Sequence, residues 1–544
     1  MRTPRRTLIA ATVLLLAAGA VTSCKSVAGA GGVAGLTGGR FINTTPKARA
    51  DVGAVTWNLD YEPTSLDPIY SANFSEDMVG ANMCESLQRL SPDFRIGDGL
   101  AHATHPDPRT WVYDLKPGVR FWDGTPLTTG DVVYSMKRNY DAKLAGFWAS
   151  AYRNVTSISA TGREQVTVKL KQPDALFNRF MSIQPGEIVQ KKYAQAKGRG
   201  YGTPDGGVMC TGPLKFAKWN TGDSIVLTRN TAYWNPAHRA HAKTFTFRFI
   251  ADPNTVVNAM LSGQIDGQYN PPTAAIPRLQ GSTAGRFYVG KTLVQFDLIP
   301  TARTGPIADK RIRRALSLAI DRDSIAKNVF FGSASPSRTL VTDATYGYAH
   351  GTWQKALNQV PAQNLDLAKA RQLVKQAGGV KRPIVLAYPA GETFWQQITQ
   401  AVVSAGKQIG LPIRMVSRPN QTYSNVFFDA KARKGLDLIE TTWDTDFPDP
   451  LDKYTNFVPN FSIYNFTGYS NPAVTKPLLK AQAAEDPAEE ARLVAGAQKT
   501  IMDEQLWIPV VDMGNTLFMG TRITGAPAAF VDEHYPWAAD VGAS

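Results

Sequence analysis

The chain has 544 residues, 43% hydrophobic and 10% aromatic, which excludes a disordered protein and allows two or three domain-sized cores. Its formal net charge is +14, or +11 without Arg2, Arg5 and Arg6. The basic residues are dispersed, with no long Lys/Arg run and no RNA-binding signature, so a nucleic-acid role is unsupported and an anionic membrane or wall surface is the better match.

Residues 1–23 read as an export signal. Arg2, Arg5 and Arg6 precede a 14-residue apolar run, Leu8 to Val21, too short for a membrane span. Val21-Thr22-Ser23-Cys24 resembles the bacterial lipoprotein cleavage box, which implies a lipid on Cys24 and a place at the outer face of the cytoplasmic membrane. The Arg5-Arg6 pair is a poor match to twin-arginine export. Residues 24–50 are Gly- and Ala-rich and read as a flexible tether. With Cys24 used, Cys84 and Cys210 are an even pair in an oxidising compartment; they form a disulfide or remain two buried thiols.

Val52 to Leu59 reads as an early strand, followed by the loop Tyr61 to Pro68. Met78, Val79, Met83 and Leu87 are spaced as the apolar stripe of a helix over 74–90. Asp107 to Leu115 alternates as a strand. It leads through Lys116-Pro117-Gly118 into a short strand, Val119 to Trp122, and then Asp123-Gly124-Thr125-Pro126. Thr128 stands three residues before Asp131, a capping-box spacing that starts a helix over 130–142.

Farther on come Thr211-Gly212-Pro213-Leu214-Lys215-Phe216, Ile225 to Asn230 with Tyr233-Trp234, and an amphipathic helix from Arg311 to Arg322. In that helix Ile312, Ala315, Leu316, Ala319 and Ile320 share one face. Lys310, Arg311, Arg313 and Arg314 cover the other, which reads as a solvated surface. A helix over 365–377, ended by Gly378-Gly379, is followed by a strand at 383–388, a helix at 394–409, a strand at 413–417 and a helix at 423–432. Leu436 to Ile439 reads as a buried strand, Pro487 to Glu504 as a helix capped by Asp486, and Leu506 to Val511 as a strand. This alternation is α/β, an open mixed sheet with helices on both faces.

The strand near 436–439 runs into Trp443-Asp444-Thr445-Asp446-Phe447-Pro448-Asp449-Pro450, where three carboxylates lie between aromatics and prolines. That chemistry suits a cationic group being desolvated, although Asp and Pro are also ordinary turn residues.

The segment from Asp107 through Asp131 resembles the signature of family 5 extracellular solute-binding proteins, the oligopeptide and dipeptide receptors of ABC importers. Lys116 stands where Arg is commoner, and Cys210 replaces the usual Gly before Thr211. The Thr211 segment, the Arg311 helix and the Trp443 loop follow the family's order, so the resemblance spans residues 52 to 540. It implies a two-lobed periplasmic-binding-protein fold of type II, in the large peptide-binding cluster, with a hinge and a discontinuous first lobe. Lobe I would be 51–290 with 512–544, and lobe II 291–511.

The implied function is capture of oligopeptides or dipeptides between the lobes and delivery to permease subunits by a monomeric, non-catalytic lipoprotein that needs no cofactor. Asp446 would meet the ligand's α-amine, beside Trp443 and Thr445, while Asp444 and Asp449 hold the loop. Asn73 and Phe74 would approach from the other lobe. Glu440 stands where some peptide-binding relatives place a cation, so a ligand carboxylate must be held elsewhere, or the ligand carries a second positive group.

Alternatives within the family are a nickel chelate or an oligosaccharide; outside it, a secreted hydrolase or a wall-associated structural protein. Gly285 to Thr292 satisfies a P-loop pattern, but Phe287, Tyr288 and Val289 are bulky strand formers. His102, His105, His238, His241, His350 and His534 lack a third-ligand motif and read as surface residues, so no metal site is assigned. No Gly-x-Ser-x-Gly elbow occurs, and neither Cys84 nor Cys210 is marked as a nucleophile.

Overall fold

The computed structural model describes residues 41–544 except 303, 460, 461 and 463; the leader and Cys24 lie outside the described residues. Two mixed sheets dominate. The first runs in the order Gly285–Gly290, Asn515–Gly520, Gly267–Tyr269, Val52–Leu59, Ala242–Phe249, Ser224–Arg229, Leu214–Asn220. Val52–Leu59 is parallel to both of its neighbours and the remaining pairs are antiparallel. Its core holds Trp57, fully buried with its ring 4.7 Å from that of Trp537, so the C-terminal segment is part of this half.

The second sheet runs Ala334–Pro336, Ile508–Met513, Gln295–Pro300, Leu438–Trp443, Ile384–Pro389, Ile413–Arg418. Its central strands are apolar on both faces because both are covered. Phe296, Leu298 and Leu438 pack with helices Lys310–Ala319 and Thr393–Gln408, and Ile299 and Ile439 pack with helix Pro487–Asp503. A smaller antiparallel sheet, Ala101–Asp107, Thr110–Leu115, Gln165–Leu170, Val155–Ala160, carries the helix Thr129–Arg138. Thr128 and Asp131 form the reciprocal capping box that the spacing predicts.

The chain passes between the large sheets twice, at 290–295 and 513–515. The two crossings are joined by the Met513 amide donating to the Val294 carbonyl at 3.0 Å. Gly514 is packed against this junction: a Cβ there would stand 2.5 Å from the Ser333 carbonyl oxygen. Among the described residues no helix is long and apolar enough to cross a membrane.

Several local expectations are corrected. The helix predicted over 74–90 spans only Phe74–Gly80, and Gln88–Leu90 is a strand. The apolar stripe continues, but Cys84 is bonded to Cys210, 126 residues away, and the Gly212 amide binds the Met83 carbonyl, so tertiary contacts end the helix. Val119 to Trp122 makes only an isolated bridge between Arg120 and Pro126, and 423–432 holds the short helix Asn425–Phe428. The tether does not stay loose to residue 50: Ile42 bridges Gly290, and Ala50 bridges Ala543.

Arg313 and Arg314 are not a solvated face. Arg313 donates to the carbonyls of Glu504 and Gln505, and Arg314 to that of Ala362. Gly285–Gly290 is a strand paired with Asn515–Gly520, as its bulky residues indicate.

Candidate functional site

Trp443 is the last residue of the strand Leu438–Trp443, so the loop Asp444 to Asp449 begins where the second sheet ends. Asp449 closes the loop as N-cap of the short helix Pro450–Tyr454, accepting from the Leu451 amide at 2.8 Å. Asp449 also meets Arg179. It therefore holds the loop, as the sequence implies. Asp452, on that helix, accepts the Asp446 amide at 3.0 Å and fixes the loop's turn.

Asp444, expected to hold the loop with Asp449, also lies within electrostatic reach of Asp77, Asp446, Asp452 and Glu533. Asp444, Asp446 and Asp452 form an electrostatically coupled group with two carboxylates from the first half, Asp77 on helix Phe74–Gly80 and Glu533 in the C-terminal segment. Burial is the largest cause at each and pushes all five carboxyls up, Asp452 to about 7; the charge of Asp444, with that of other nearby carboxylates, raises Asp77, Asp446, Asp452 and Glu533 further. Glu533 is 6% exposed, and its Oε1 has no hydrogen-bond partner.

Lys453 partly offsets the rise at Asp444 and Asp452, yet its ammonium is spent on Asp297 at 2.7 Å and Gln295 at 3.1 Å. At Asp446 every resolved influence raises the pKa. A group so arranged has an electrostatic deficit that a bound cation removes.

Beside this group lies a cavity of about 250 Å³ between the two sheets. Its wall includes Phe74, Thr442 and Phe530, near neighbours in sequence of Asp77, Asp444 and Glu533. Tyr61, Phe394 and Trp395 continue it, and Thr292, Val294, Met513 and Gly514 of the crossings close it. The charged residues of this wall are Asp60 and Glu392; no lysine, arginine or histidine is among its described lining. Both side chains are exposed to solvent at the cavity mouth; partial desolvation by the surrounding wall, then the charge of Glu392, raises Asp60, and partial desolvation raises Glu392.

The expected contacts are placed as follows. Phe74 lines the cavity, 39% exposed, with its ring 6.3 Å from that of Phe530. Asn73 is exposed at the start of the same helix. Thr445 is buried, and its hydroxyl has no hydrogen-bond partner among the described residues. Trp443 is half-buried against Tyr464 and Trp507, at ring distances of 4.6 and 5.3 Å, behind the cavity wall.

Glu440 is a correction. It shares a strand face with Thr442, but helix Thr393–Gln408 covers it, so it is fully buried and accepts from the Thr399 hydroxyl at 2.8 Å. Burial holds it well above the usual carboxylate range, and no part of it reaches the cavity wall.

Asp77, Glu533, Asp60 and Glu392 were not singled out from the sequence; no local motif marks them, because each owes its place to contacts distant in the chain. The histidine reading is corrected at His534, which is half-buried with Nδ1 3.2 Å from Gln184 Nε2, and burial drives its pKa down to about 3. Among the described residues no group of three or more His, Cys, Asp or Glu is arranged to hold a metal ion.

Two sheets joined by a double crossing, with a cavity between them, define a two-lobed binding protein of the type II periplasmic class. The chain belongs to the bacterial extracellular solute-binding proteins, family 5, whose model matches residues 96–465. It is 24% identical over 468 residues to the glutathione-binding protein GsiB of Escherichia coli K12, covering 82% of this chain and 86% of that protein. The substrate-binding protein CtaP of Listeria monocytogenes superposes with a TM-score of 0.80 at 19% identity, covering 91% of this chain and 99% of the other. DppA of Helicobacter pylori, solved with the peptide STSA, gives 0.75 at 19% identity, with 91% and 98% covered.

Proposed function

We propose that this chain is the extracellular receptor of an ABC importer and captures short peptides by their amino terminus. The carrying observation is the convergence of Asp77 and Glu533 from one half with Asp444 and Asp446 from the other, and no cation offsetting the charge at Asp446. A ligand ammonium between them relieves repulsion between the halves and so draws them together, which couples binding to the closed shape. Glutathione and the peptide STSA, bound by the relatives described above, are both small peptides. A cavity of about 250 Å³ lies below the range of about 300–1,000 Å³ usual for drug-sized ligands, which favours ligands of two or three residues.

In this reading 51–290 with 512–544 forms lobe I, 291–511 forms lobe II, and the crossings are the hinge. A lipid on Cys24 holds the monomeric receptor at the membrane beside its permease, and the ligand leaves unchanged. Calorimetric titration with di- and tripeptides tests it. Peptides with a free amino terminus should bind and be recovered intact, and their N-acetyl forms should not bind. Equal binding of the acetylated forms overturns the role of the acidic group, and cleaved products overturn the receptor reading.

A further inference from the structure

We infer that the ligand carries a second positive charge, a primary ammonium or guanidinium, seated between Asp60 and Glu392 in the same cavity that receives its amino terminus. This rests on the proposed amine site and deepens it by naming the ligand class: short basic peptides or amides rather than ordinary zwitterionic peptides.

The pair bridges the two halves. Asp60 follows the strand Val52–Leu59 of the first sheet, where Gln268 Nε2 donates to its Oδ1 at 2.6 Å. Glu392 stands at the N-cap position of helix Thr393–Gln408 on the second, but its side chain makes no capping bond to that helix. Both line the cavity, and the charge of Glu392 reaches Asp60. Thr273, from the first half, favours the ionised form of Glu392 by hydrogen bonding, and Gln268 does the same for Asp60.

A zwitterionic peptide would bring its carboxylate into a cavity whose described lining has no lysine, arginine or histidine. Glu440, buried beneath helix Thr393–Gln408, cannot hold a carboxylate either. The charged residues lining the cavity are Asp60 and Glu392; Asp77, Asp444, Asp446 and Glu533 are near neighbours in sequence of its wall, with Glu76, Asp452, Lys453 and Arg153 acting on that group or lying beyond it. Lys453 is committed to Asp297, and Arg153 lies within electrostatic reach of Asp174 and Asp452. Near the cavity wall, Glu533 is 6% exposed, lies within electrostatic reach of Asp444 and Asp77, and has an Oε1 without a hydrogen-bond partner among the described residues. Between the two acidic ends the wall is aromatic, at Tyr61, Phe74, Phe394, Trp395 and Phe530, which suits the methylene stem of a lysine or arginine side chain.

The test is calorimetry on the full chain with alanyl-lysine amide, alanyl-arginine amide and alanyl-norleucine amide. The lysine and arginine amides should bind tenfold or more tightly than the norleucine amide. The double variant Asp60→Asn/Glu392→Gln should reduce that preference to less than twofold, and a preference still tenfold or more in this variant overturns the assignment to the pair. Asp446→Asn should weaken all three alike. Equal affinities in the natural protein, with Asp446→Asn still weakening all three, overturn the second charge alone. An Asp446→Asn protein that binds every probe as before overturns the amine site and with it the doubly charged ligand.

Discussion

Arg179 and Glu490, 311 residues apart in the chain, meet as a paired fork, with Nη1 to Oε1 at 3.0 Å and Nη2 to Oε2 at 2.9 Å. The same guanidinium contacts Asp449, and the Tyr348 hydroxyl lies 3.0 Å from Glu490 Oε1 and 3.1 Å from Asp449 Oδ1. One cation thus serves two buried carboxylates, and burial with the charge of Asp449 pushes Glu490 up to about 8. The contact ties the helix Phe177–Phe180 to the loop that carries Asp446, so it supports the site as well as the fold.

Arg179→Ala should leave Asp449 and Glu490 facing each other without a counter-charge. By the usual cost of stripping one partner from a buried pair, about 3–5 kcal/mol of stability should be lost, read as a lower denaturant midpoint. Adding Glu490→Gln should recover part of it. An unchanged midpoint in the single variant would show that the fork contributes nothing.

Asp446→Asn should weaken binding of amine-bearing peptides by roughly 3–5 kcal/mol, by the same analogy. The pH dependence follows from the raised carboxyls. Asp452 is raised to about 7, and Asp60, Asp77, Asp446 and Glu533 are raised in the same direction, whereas a ligand cation requires the ionised forms. Affinity should therefore rise with pH from the ordinary carboxylate range up to about 7, with protons released on binding. Titrations in two buffers of different ionisation enthalpy measure that release, and proton uptake would contradict it.

Asp512 offers a stability test apart from the ligand. It accepts Gln295 Nε2 at 2.7 Å and the Ser337 hydroxyl at 2.5 Å, yet burial outweighs both and pushes it up to about 7. Between its unfolded value near 3.8 and about 7 the folded state binds the extra proton. Its contribution is thus fully present below the lower limit and lost as pH rises to the upper, by up to roughly 4 kcal/mol. Asp512→Asn should flatten the rise in unfolding free energy on acidification across that window. A profile as steep as that of the natural protein would remove Asp512 as its source.

Reduction of the Cys84–Cys210 bond, or its replacement by two serines, frees a loop that spans 126 residues. The chain-entropy model sets the loss at up to about 5 kcal/mol, with measured losses commonly smaller. The melting temperature should fall, most simply compared in scanning calorimetry with and without reductant.

The capped starts at Thr128 and Asp486 were legible because cap chemistry is local, whereas the strand read at 436–439 runs instead over Leu438–Trp443, its polar end Glu440 to Thr442 hiding it from an apolar-run reading. The loop at Asp444 to Asp449, where carboxylates, aromatics and prolines are dense, was legible as well. The rest of the site was not. Asp77 lies within an apolar stripe, Glu533 lies in a tail without pattern, and Asp60 and Glu392 come from different halves; only the folded chain makes a group of them. Glu440 misled for the opposite reason: its place in the chain is beside the site, but helix Thr393–Gln408 lies over it. The short helix at Phe74–Gly80 shows the same competition, with a covalent bond at Cys84 overriding a stripe that alone predicts a longer one.

The arm at 42–50 is stitched to the far end of the chain: Asn43 accepts the amides of Ala528 and Ala529, the Arg49 amide donates to the Ala543 carbonyl, and the Ala50 carbonyl receives the Ala543 amide. Mechanical load applied upstream of Ile42 therefore enters through the first sheet, shared with the tail that buries Trp537. The second sheet follows the first along the chain through the crossings at 290–295 and 513–515, so that load reaches it only after passing through the first sheet.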